Sequence, residues 1–143
     1  MANPYPTKVL VSGGFDPLHI GHVRMFKEAK MLGDELIVLV NNDNWLMKKK
    51  NFVFMPQEDR VEIIASLKCV DRVFLTNHKP DTDDMSICEE LKQFHPDIFA
   101  NGGDRTIGNI PEYDLCGMEN IQMVFNVGGG KIRSSSEIVK GIK

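Results

Sequence analysis

Short apolar runs alternate with amphipathic stretches along the chain, which predicts strands separated by helices. The run at residues 36–40, Leu-Ile-Val-Leu-Val, has no polar member, as is typical of a strand buried on both faces of a parallel sheet. Runs of this kind predict strands at residues 8–12, 36–40, 72–75, 98–100 and 122–127. Because a helical pattern follows each strand, we predict an α/β fold with a mostly parallel sheet and helices on both faces.

The helical patterns are bounded by residues that favour helix ends. The first opens at about Ile20 and stops before Gly33, a good C-terminal stop. Pro56, followed by acidic residues, is well placed at the start of another helix that continues toward Lys68. The remaining predictions are a short segment at residues 45–47 and helices at 84–94, at 111–118 and from 137 to the C-terminus.

Composition narrows the functional classes. The 143 residues suit a single domain, 1–143, and the net charge of −3 gives no electrostatic case for binding nucleic acid. There is no signal-peptide pattern and no apolar run near the length of a membrane span, so we expect no membrane insertion. Three scattered cysteines without a C-x-x-C pair suit reduced thiols, and we expect a cytoplasmic protein.

The first strand leads into a turn of two glycines, Gly13 and Gly14, and then into a helix. A strand, a glycine turn and a helix N-terminus in succession form an anion site, because unpaired N–H groups and the helix dipole both point at the turn. Phe15 and Asp16 belong to this turn, and Asp16 either orients it or approaches the ligand. We predict that nucleotide phosphate binds here.

Two histidines, His19 and His22, flank Gly21 just after the turn, which favours a functional role over core packing. Zinc is disfavoured, because no third His or Cys lies nearby in the sequence, and we predict no metal held by the protein alone. Near the C-terminus a second helix start, preceded by polar and basic residues, predicts another phosphate site. Its candidate residues are Lys131, Arg133, Ser134, Ser135 and Ser136.

The segments after strands one, two, four and five are rich in Gly, His, Lys, Arg, Asp and Ser. Ligands of parallel α/β sheets bind outside the carboxyl ends of the strands. We therefore expect these four segments to converge on one edge of the sheet and to form one site.

The sequence Gly14-x-Asp16-x-Leu18-His19-x-Gly21-His22 resembles the H-x-G-H signature of the cytidylyltransferase-like nucleotidyltransferases. The resemblance covers nearly the whole chain and implies a Rossmann-like five-stranded sheet of the nucleotidyltransferase type. It implies that the two histidines bind the α- and β-phosphates of a nucleoside triphosphate, which enters with Mg²⁺, while a small phosphorylated alcohol or sugar attacks and pyrophosphate leaves. It also implies a homodimer.

The same resemblance assigns roles to further residues. It places a lysine of the Lys48–Lys50 run on phosphate, for which we expect Lys48 or Lys49, and it places Gly103 and Asp104 beside the sugar or base. Arg60 lies in a region that the family uses near the site and the dimer contact, although a surface role is an alternative.

The nucleotide base is left open by the sequence. Most of the resemblance favours CTP, whereas the sequence Gly102-Gly103-Asp104 is closer to that of heptose-phosphate adenylyltransferases, which use ATP. Two other hypotheses are a non-catalytic nucleotide-binding module and a fragment of a class I aminoacyl-tRNA synthetase. The chain is short and acidic for the second of these.

Overall fold

The computed structural model of the chain describes residues 5–102 and 111–128. Strands and helices alternate within these two ranges, as the sequence predicts. The strands are β1 (Lys8–Gly13), β2 (Glu35–Val40), β3 (Arg72–Leu75), β4 (Ile98–Ala100) and β5 (Gln122–Val124). The helices are α1 (Ile20–Lys30), α2 (Asp43–Lys50), α3 (Gln57–Ala65), α4 (Cys88–Phe94) and α5 (Glu112–Met118).

The strands form one sheet in the order β3-β2-β1-β4-β5, and each neighbouring pair is parallel. The order confirms the predicted α/β fold, because strands joined in this order need helical crossovers on both faces. Gly13 at the end of β1 pairs with Val40 at the end of β2, so the loops that follow these strands leave from the same edge.

A hydrophobic core lies on each side of the sheet. Alternate residues of β1 and β2 point to opposite faces, which explains why the runs at residues 9–11 and 36–40 have no polar member. On one face Val9 and Val11 pack with Phe26 of α1 and Ile64 of α3. On the other face a second core joins β1, β2 and β4 to α4 and α5, and it contains Leu10, Ile37, Leu39, Leu91, Phe99 and Cys116.

The helix predicted from residue 84 begins only at Cys88, and a local hydrogen-bonding turn explains the difference. Asp84 Oδ1 accepts the backbone N–H of Ser86 at 2.9 Å and its hydroxyl at 2.6 Å. Such side-chain bonds compete with the first helical turn. The backbone N–H of Ile87 then donates to Glu112 Oε1 at 3.2 Å, so the start of α4 is tied to α5.

Three further boundaries differ from the prediction. The last strand ends at Val124 instead of residue 127, beside a β4 partner that is only three residues long. α3 ends at Ala65, where the Ser66 hydroxyl donates to the Ile63 carbonyl. The segment predicted at residues 45–47 is a full helix, α2, because the Asn42 side chain caps its start.

The predicted C-terminal helix lies outside the described residues, as do Gly103, Asp104, Lys131, Arg133, Ser134, Ser135 and Ser136. Within the described ranges, no helix has both the length and the apolar character needed to cross a bilayer.

Asp71 connects the end of α1 to the start of β2 and makes stability depend on pH. Its Oδ2 accepts Lys30 Nζ at 2.6 Å and the backbone N–H of Leu36 at 2.7 Å. Partial burial raises the pKa of Asp71, but the bonds from Lys30 and Leu36 outweigh it, and the net pKa is lowered. A carboxyl with a lowered folded-state pKa stabilises the fold above its unfolded pKa of about 4 and loses this contribution as the pH falls through the folded value.

We expect Asp71→Asn to lower the free energy of unfolding at pH 7 by less than about 1 kcal/mol, because the pair is partly exposed. Its stability should also decline less than that of wild type between about pH 5 and pH 2. Urea unfolding at several pH values measures both effects. Asp59→Asn, at an exposed aspartate of α3, is the control and should follow the wild-type decline. An unchanged acid decline in Asp71→Asn would contradict the assignment.

Candidate active site

The turn after β1 is crowded, and this crowding explains its glycines. A Cβ on Gly13 would lie 2.9 Å from the Phe15 ring, and a Cβ on Gly14 would lie 3.0 Å from Leu46 Cδ2 of α2. The left-handed backbone conformation of the turn is adopted by Phe15, with φ of 52°. The glycines are therefore needed for space, whereas the sequence suggested a need for unusual torsions as well.

Phe15 is buried, and its ring packs against one of the two histidines. Its ring contacts His22 edge-to-face with centroids 5.0 Å apart, and it meets Phe26 in the same way at 5.2 Å. The structure thus places the Phe15 side chain in the core, where it fixes the position of the His22 ring.

The two histidines form a reciprocal cap at the N-terminus of α1. His19 Nδ1 accepts the backbone N–H of Gly21 at 3.1 Å, and His22 Nδ1 accepts the backbone N–H of His19 at 3.2 Å. The rings stack with centroids 3.9 Å apart. Because each Nδ1 is an acceptor, the ring proton of each neutral imidazole is on Nε2. The pair therefore carries two Nε2–H groups, the kind of donor that binds phosphate oxygens.

Gly21 is required by this arrangement, since a Cβ there would lie 2.9 Å from His19 Cε1. The first turn of α1 carries no acidic residue, and Lys27 and Lys30 lie in its last turn. The helix start is therefore electropositive and favours an anion.

The three lysines at the end of α2 have different surroundings. Lys48 forms an ion pair with Asp81 at 2.7 Å, and hydrogen bonding to this carboxylate raises the lysine pKa. The Lys49 ammonium lies 5.2 Å from the centroid of the Trp45 ring. Lys50 Nζ lies 3.5 Å from the Asp16 carbonyl oxygen, so the structure brings Lys50 to the glycine turn. The expected choice of Lys48 or Lys49 remains untested, but Lys50 is the lysine placed beside the turn.

Asp16 is buried and orients a neighbouring segment. Its two carboxylate oxygens accept the backbone N–H groups of Phe54 at 2.7 Å and Met55 at 2.6 Å. Of the two roles that the sequence left open for Asp16, the structure shows the orienting one.

Arg60 is fully buried, so the alternative of a surface role is wrong. Its guanidinium donates to the carbonyls of Gly14 and Asn41 at 2.6 Å each and to the carbonyl of Met55 at 2.9 Å. It also donates to the Asp43 carboxylate at 2.7 Å. Arg60 therefore joins the ends of β1 and β2 to the segment before α3. Through its bond to the Gly14 carbonyl it also holds the glycine turn of the candidate site in place.

The loops after β4 and β5 meet at the same edge of the sheet. The backbone N–H of Asn101 donates to the Val124 carbonyl at 2.7 Å, and the backbone N–H of Val127 donates to the Asn101 carbonyl at 2.9 Å. Farther along, the backbone N–H of Gly128 donates to the Glu28 carboxylate on α1. The predicted convergence on one edge is confirmed as far as the described residues reach.

Sequence reasoning missed Asn41, the first polar residue after β2. Its side chain is buried, and its Oδ1 has no hydrogen-bond partner among the residues that the structure describes. The only available signal was its place at the end of an apolar run.

Residues 10–133 match the profile of a family described as cytidylyltransferase-like. The chain belongs to this family of nucleotidyltransferases. The match spans the glycine turn, both histidines, the lysine run and Arg60, so the family resemblance stated from the H-x-G-H sequence is confirmed.

Several similar proteins are named FAD synthase. The one from Thermococcus kodakarensis is 41% identical over 99 residues, which are 68% of this chain and 63% of that protein. The one from Thermoplasma acidophilum is 30% identical over 138 residues, which are 94% of this chain and 93% of that protein. The chain therefore spans less than two thirds of the Thermococcus protein but nearly all of the Thermoplasma one.

A solved structure shares the fold. It is described as the lipopolysaccharide core biosynthesis protein from Thermoplasma volcanium and is 30% identical, with a TM-score of 0.69. The similarity covers 85% of this chain and 96% of that one, which confirms the nucleotidyltransferase fold.

Proposed function

We propose that this chain transfers the adenylyl group of ATP to the phosphate of flavin mononucleotide, which yields FAD and pyrophosphate. The stacked His19–His22 pair at the start of α1 carries the proposal, because it places two donors and a helix N-terminus at one point. The relatives named FAD synthase support the adenylyl donor and the flavin acceptor. The sequence-based preference for CTP is not confirmed.

In the proposed reaction an oxygen of the acceptor phosphate attacks the α-phosphorus of ATP. A new P–O bond forms, the bond from the α-phosphorus to the bridging oxygen breaks, and the electron pair leaves with pyrophosphate. A phosphate monoester is mostly dianionic at neutral pH and needs no general base. The task of the protein is to position the groups and to stabilise charge on the bridging and terminal oxygens, and His19 and His22 are suited to this task.

Mg²⁺ is proposed to enter with ATP as part of the substrate. The described residues contain no cluster of three or more side chains suited to holding a metal ion. The carboxylate of the glycine turn, Asp16, already accepts two backbone N–H groups. Mg²⁺ is commonly bound by substrate phosphates with few protein ligands, so this donor set is compatible with an MgATP substrate.

The residues outside the described ranges keep their sequence-based roles as proposals. Asp104, with Gly103, is proposed to contact the ribose or base, and the serines at 134–136 are proposed to bind phosphate together with Lys131 and Arg133. The homodimer also remains a proposal, which sedimentation of the purified chain would test.

Pyrophosphate release tests the proposed function directly. We expect release and FAD formation with ATP plus flavin mononucleotide, and little release when CTP replaces ATP. A sugar phosphate is the second candidate acceptor, favoured by the similarity to the lipopolysaccharide core biosynthesis protein. Release with ATP and a sugar phosphate but not with flavin mononucleotide would replace the first acceptor by the second. No release with either acceptor, for either nucleotide, would contradict a catalytic role.

The position of Lys50 leads to a prediction about the lysine run. We expect Lys50→Ala to lower kcat/KM for ATP about tenfold or more, because a charge-assisted bond to phosphate is worth about 1.5–3 kcal/mol. Lys48→Ala and Lys49→Ala are matched controls on the same helix, and each should cost less than about threefold, since these lysines face Asp81 and Trp45. A larger loss in either control than in Lys50→Ala would return the role to Lys48 or Lys49.

A further inference from the structure

The segment between α2 and α3 exposes two aromatic rings beside the candidate site. Phe52 is 39% exposed and Phe54 is 45% exposed, whereas the intervening Val53 and the following Met55 are half-buried. The two partly exposed rings thus lie two residues apart on one short irregular segment. Neighbouring apolar rings that are exposed to solvent are typical of a ligand-binding or interaction surface.

The segment is held in place by the glycine turn itself. The backbone N–H of Phe54 donates to the buried Asp16 carboxylate at 2.7 Å, and the carbonyl of the same Asp16 lies 3.5 Å from Lys50 Nζ. The backbone of an aromatic residue and a lysine ammonium are thus both held by Asp16 of the glycine turn. Trp45 of α2 is buried, and the Lys49 ammonium lies over its ring. Its ring is therefore less exposed to a ligand than the rings of Phe52 and Phe54.

From this placement we infer that Phe52 and Phe54 form the acceptor subsite and stack against the planar aromatic ring of a phosphorylated acceptor, whose phosphate lies next to the ATP phosphates bound at Lys50 and the start of α1. The inference rests on the proposed function and adds to it the residues that select the acceptor. A flavin ring is large, flat and apolar on its faces and fits two exposed phenylalanines, whereas a glycerol or sugar phosphate offers no ring to stack.

One other cavity in the described part of the chain suits a phosphorylated acceptor less well. It has a volume of about 570 Å³ and lies between the loop after β3 and α4. Three carboxylates line it, Asp84, Glu89 and Glu90, against two lysines, Lys79 and Lys92, which disfavours a phosphate anion.

Steady-state kinetics and flavin binding test the subsite. We expect Phe52→Ala and Phe54→Ala each to raise KM for flavin mononucleotide about tenfold, the scale of one lost aromatic stacking contact, with KM for ATP and kcat within about twofold of wild type. The matching Phe→Tyr variants should stay near wild type because they keep the ring. Quenching of flavin fluorescence on titration with the chain should weaken in parallel in the alanine variants. Tyr113→Ala, at an aromatic residue of α5 that is 44% exposed, is the control and should leave both readouts unchanged.

The outcomes separate this inference from the proposed function. If wild type makes no FAD, the proposed function fails and the inference fails with it. If wild type makes FAD while the Phe52→Ala/Phe54→Ala double variant keeps the wild-type KM for flavin mononucleotide, only the inference is overturned. A double variant that changes its sedimentation coefficient but keeps that KM also overturns the inference, because the rings would then form a contact between copies of the chain.

Discussion

Replacing His19 with asparagine or His22 with glutamine is expected to lower kcat for nucleotidyl transfer about a hundred- to a thousandfold in each case, without unfolding the chain. Removing one preorganised donor from a developing oxyanion costs about this much in other enzymes. Each histidine has an Nδ1 that accepts a backbone N–H at the start of α1, and an Nε2–H of the kind that donates to phosphate oxygens. The substitutions keep the bond to the backbone and replace the imidazole N–H by an amide group that no longer places a donor at the Nε2 position.

Asparagine is a strong N-cap residue, and its side-chain oxygen can accept the N–H that His19 Nδ1 accepts. Glutamine at the third helical position is the usual partner in a capping box, so it can accept the N–H of His19 in place of His22. We therefore expect the free energy of unfolding to stay within about 1 kcal/mol of wild type in both variants.

Rates of pyrophosphate release and urea midpoints measure the two effects separately. His95→Asn is the control, because His95 is an exposed histidine at the end of α4 with a left-handed φ of 45° that asparagine tolerates. It should leave kcat unchanged. If both site variants keep wild-type kcat and nucleotide affinity, the proposed catalytic role of the two histidines is wrong.

Replacing Arg60 with methionine is expected to lower the free energy of unfolding by about 3–5 kcal/mol, a large part of the stability of a typical domain. The guanidinium is fully buried, and its removal would leave buried carbonyls of Gly14 and Asn41 without these donors. The Asp43 carboxylate would lose its charge partner as well. Lysine keeps the charge but not the planar fork, so Arg60→Lys should also lose most of this stabilisation.

Urea unfolding of the purified variants measures the loss. Arg72→Met is the matched control, since Arg72 makes a partly exposed ion pair with Glu35 and should cost less than about 1 kcal/mol. A loss in Arg60→Met as small as that in Arg72→Met would show that the buried bonds do not hold the turn in place. The Arg60→Lys variant should also lose nucleotidyl transfer, because Gly14 and the segment ending at Met55 would no longer be held together.

Features carried by neighbouring residues could be predicted from the sequence. The unbroken apolar run of β2, the stop at Gly33 and the start after Pro56 are local signals, and the structure confirms them to within a few residues. The predicted start of α4 was wrong because the bonds from Ser86 to the Asp84 carboxylate compete with a helical turn. The helix propensity of these residues does not reveal which of the two structures forms.

By itself, the sequence determined the α/β class and the family and predicted the place of the anion site, because periodicity, glycine turns and the H-x-G-H spacing are local patterns of neighbouring residues. Only the tertiary structure decided that Arg60 is buried, that Asp16 orients the segment of Phe54 and Met55, and that Lys50 lies by the turn. These facts depend on bonds between residues 34 to 46 positions apart, such as Lys50 to Asp16 and Arg60 to Gly14. Contacts at that separation are set by how the helices pack on the sheet, and no local pattern encodes them.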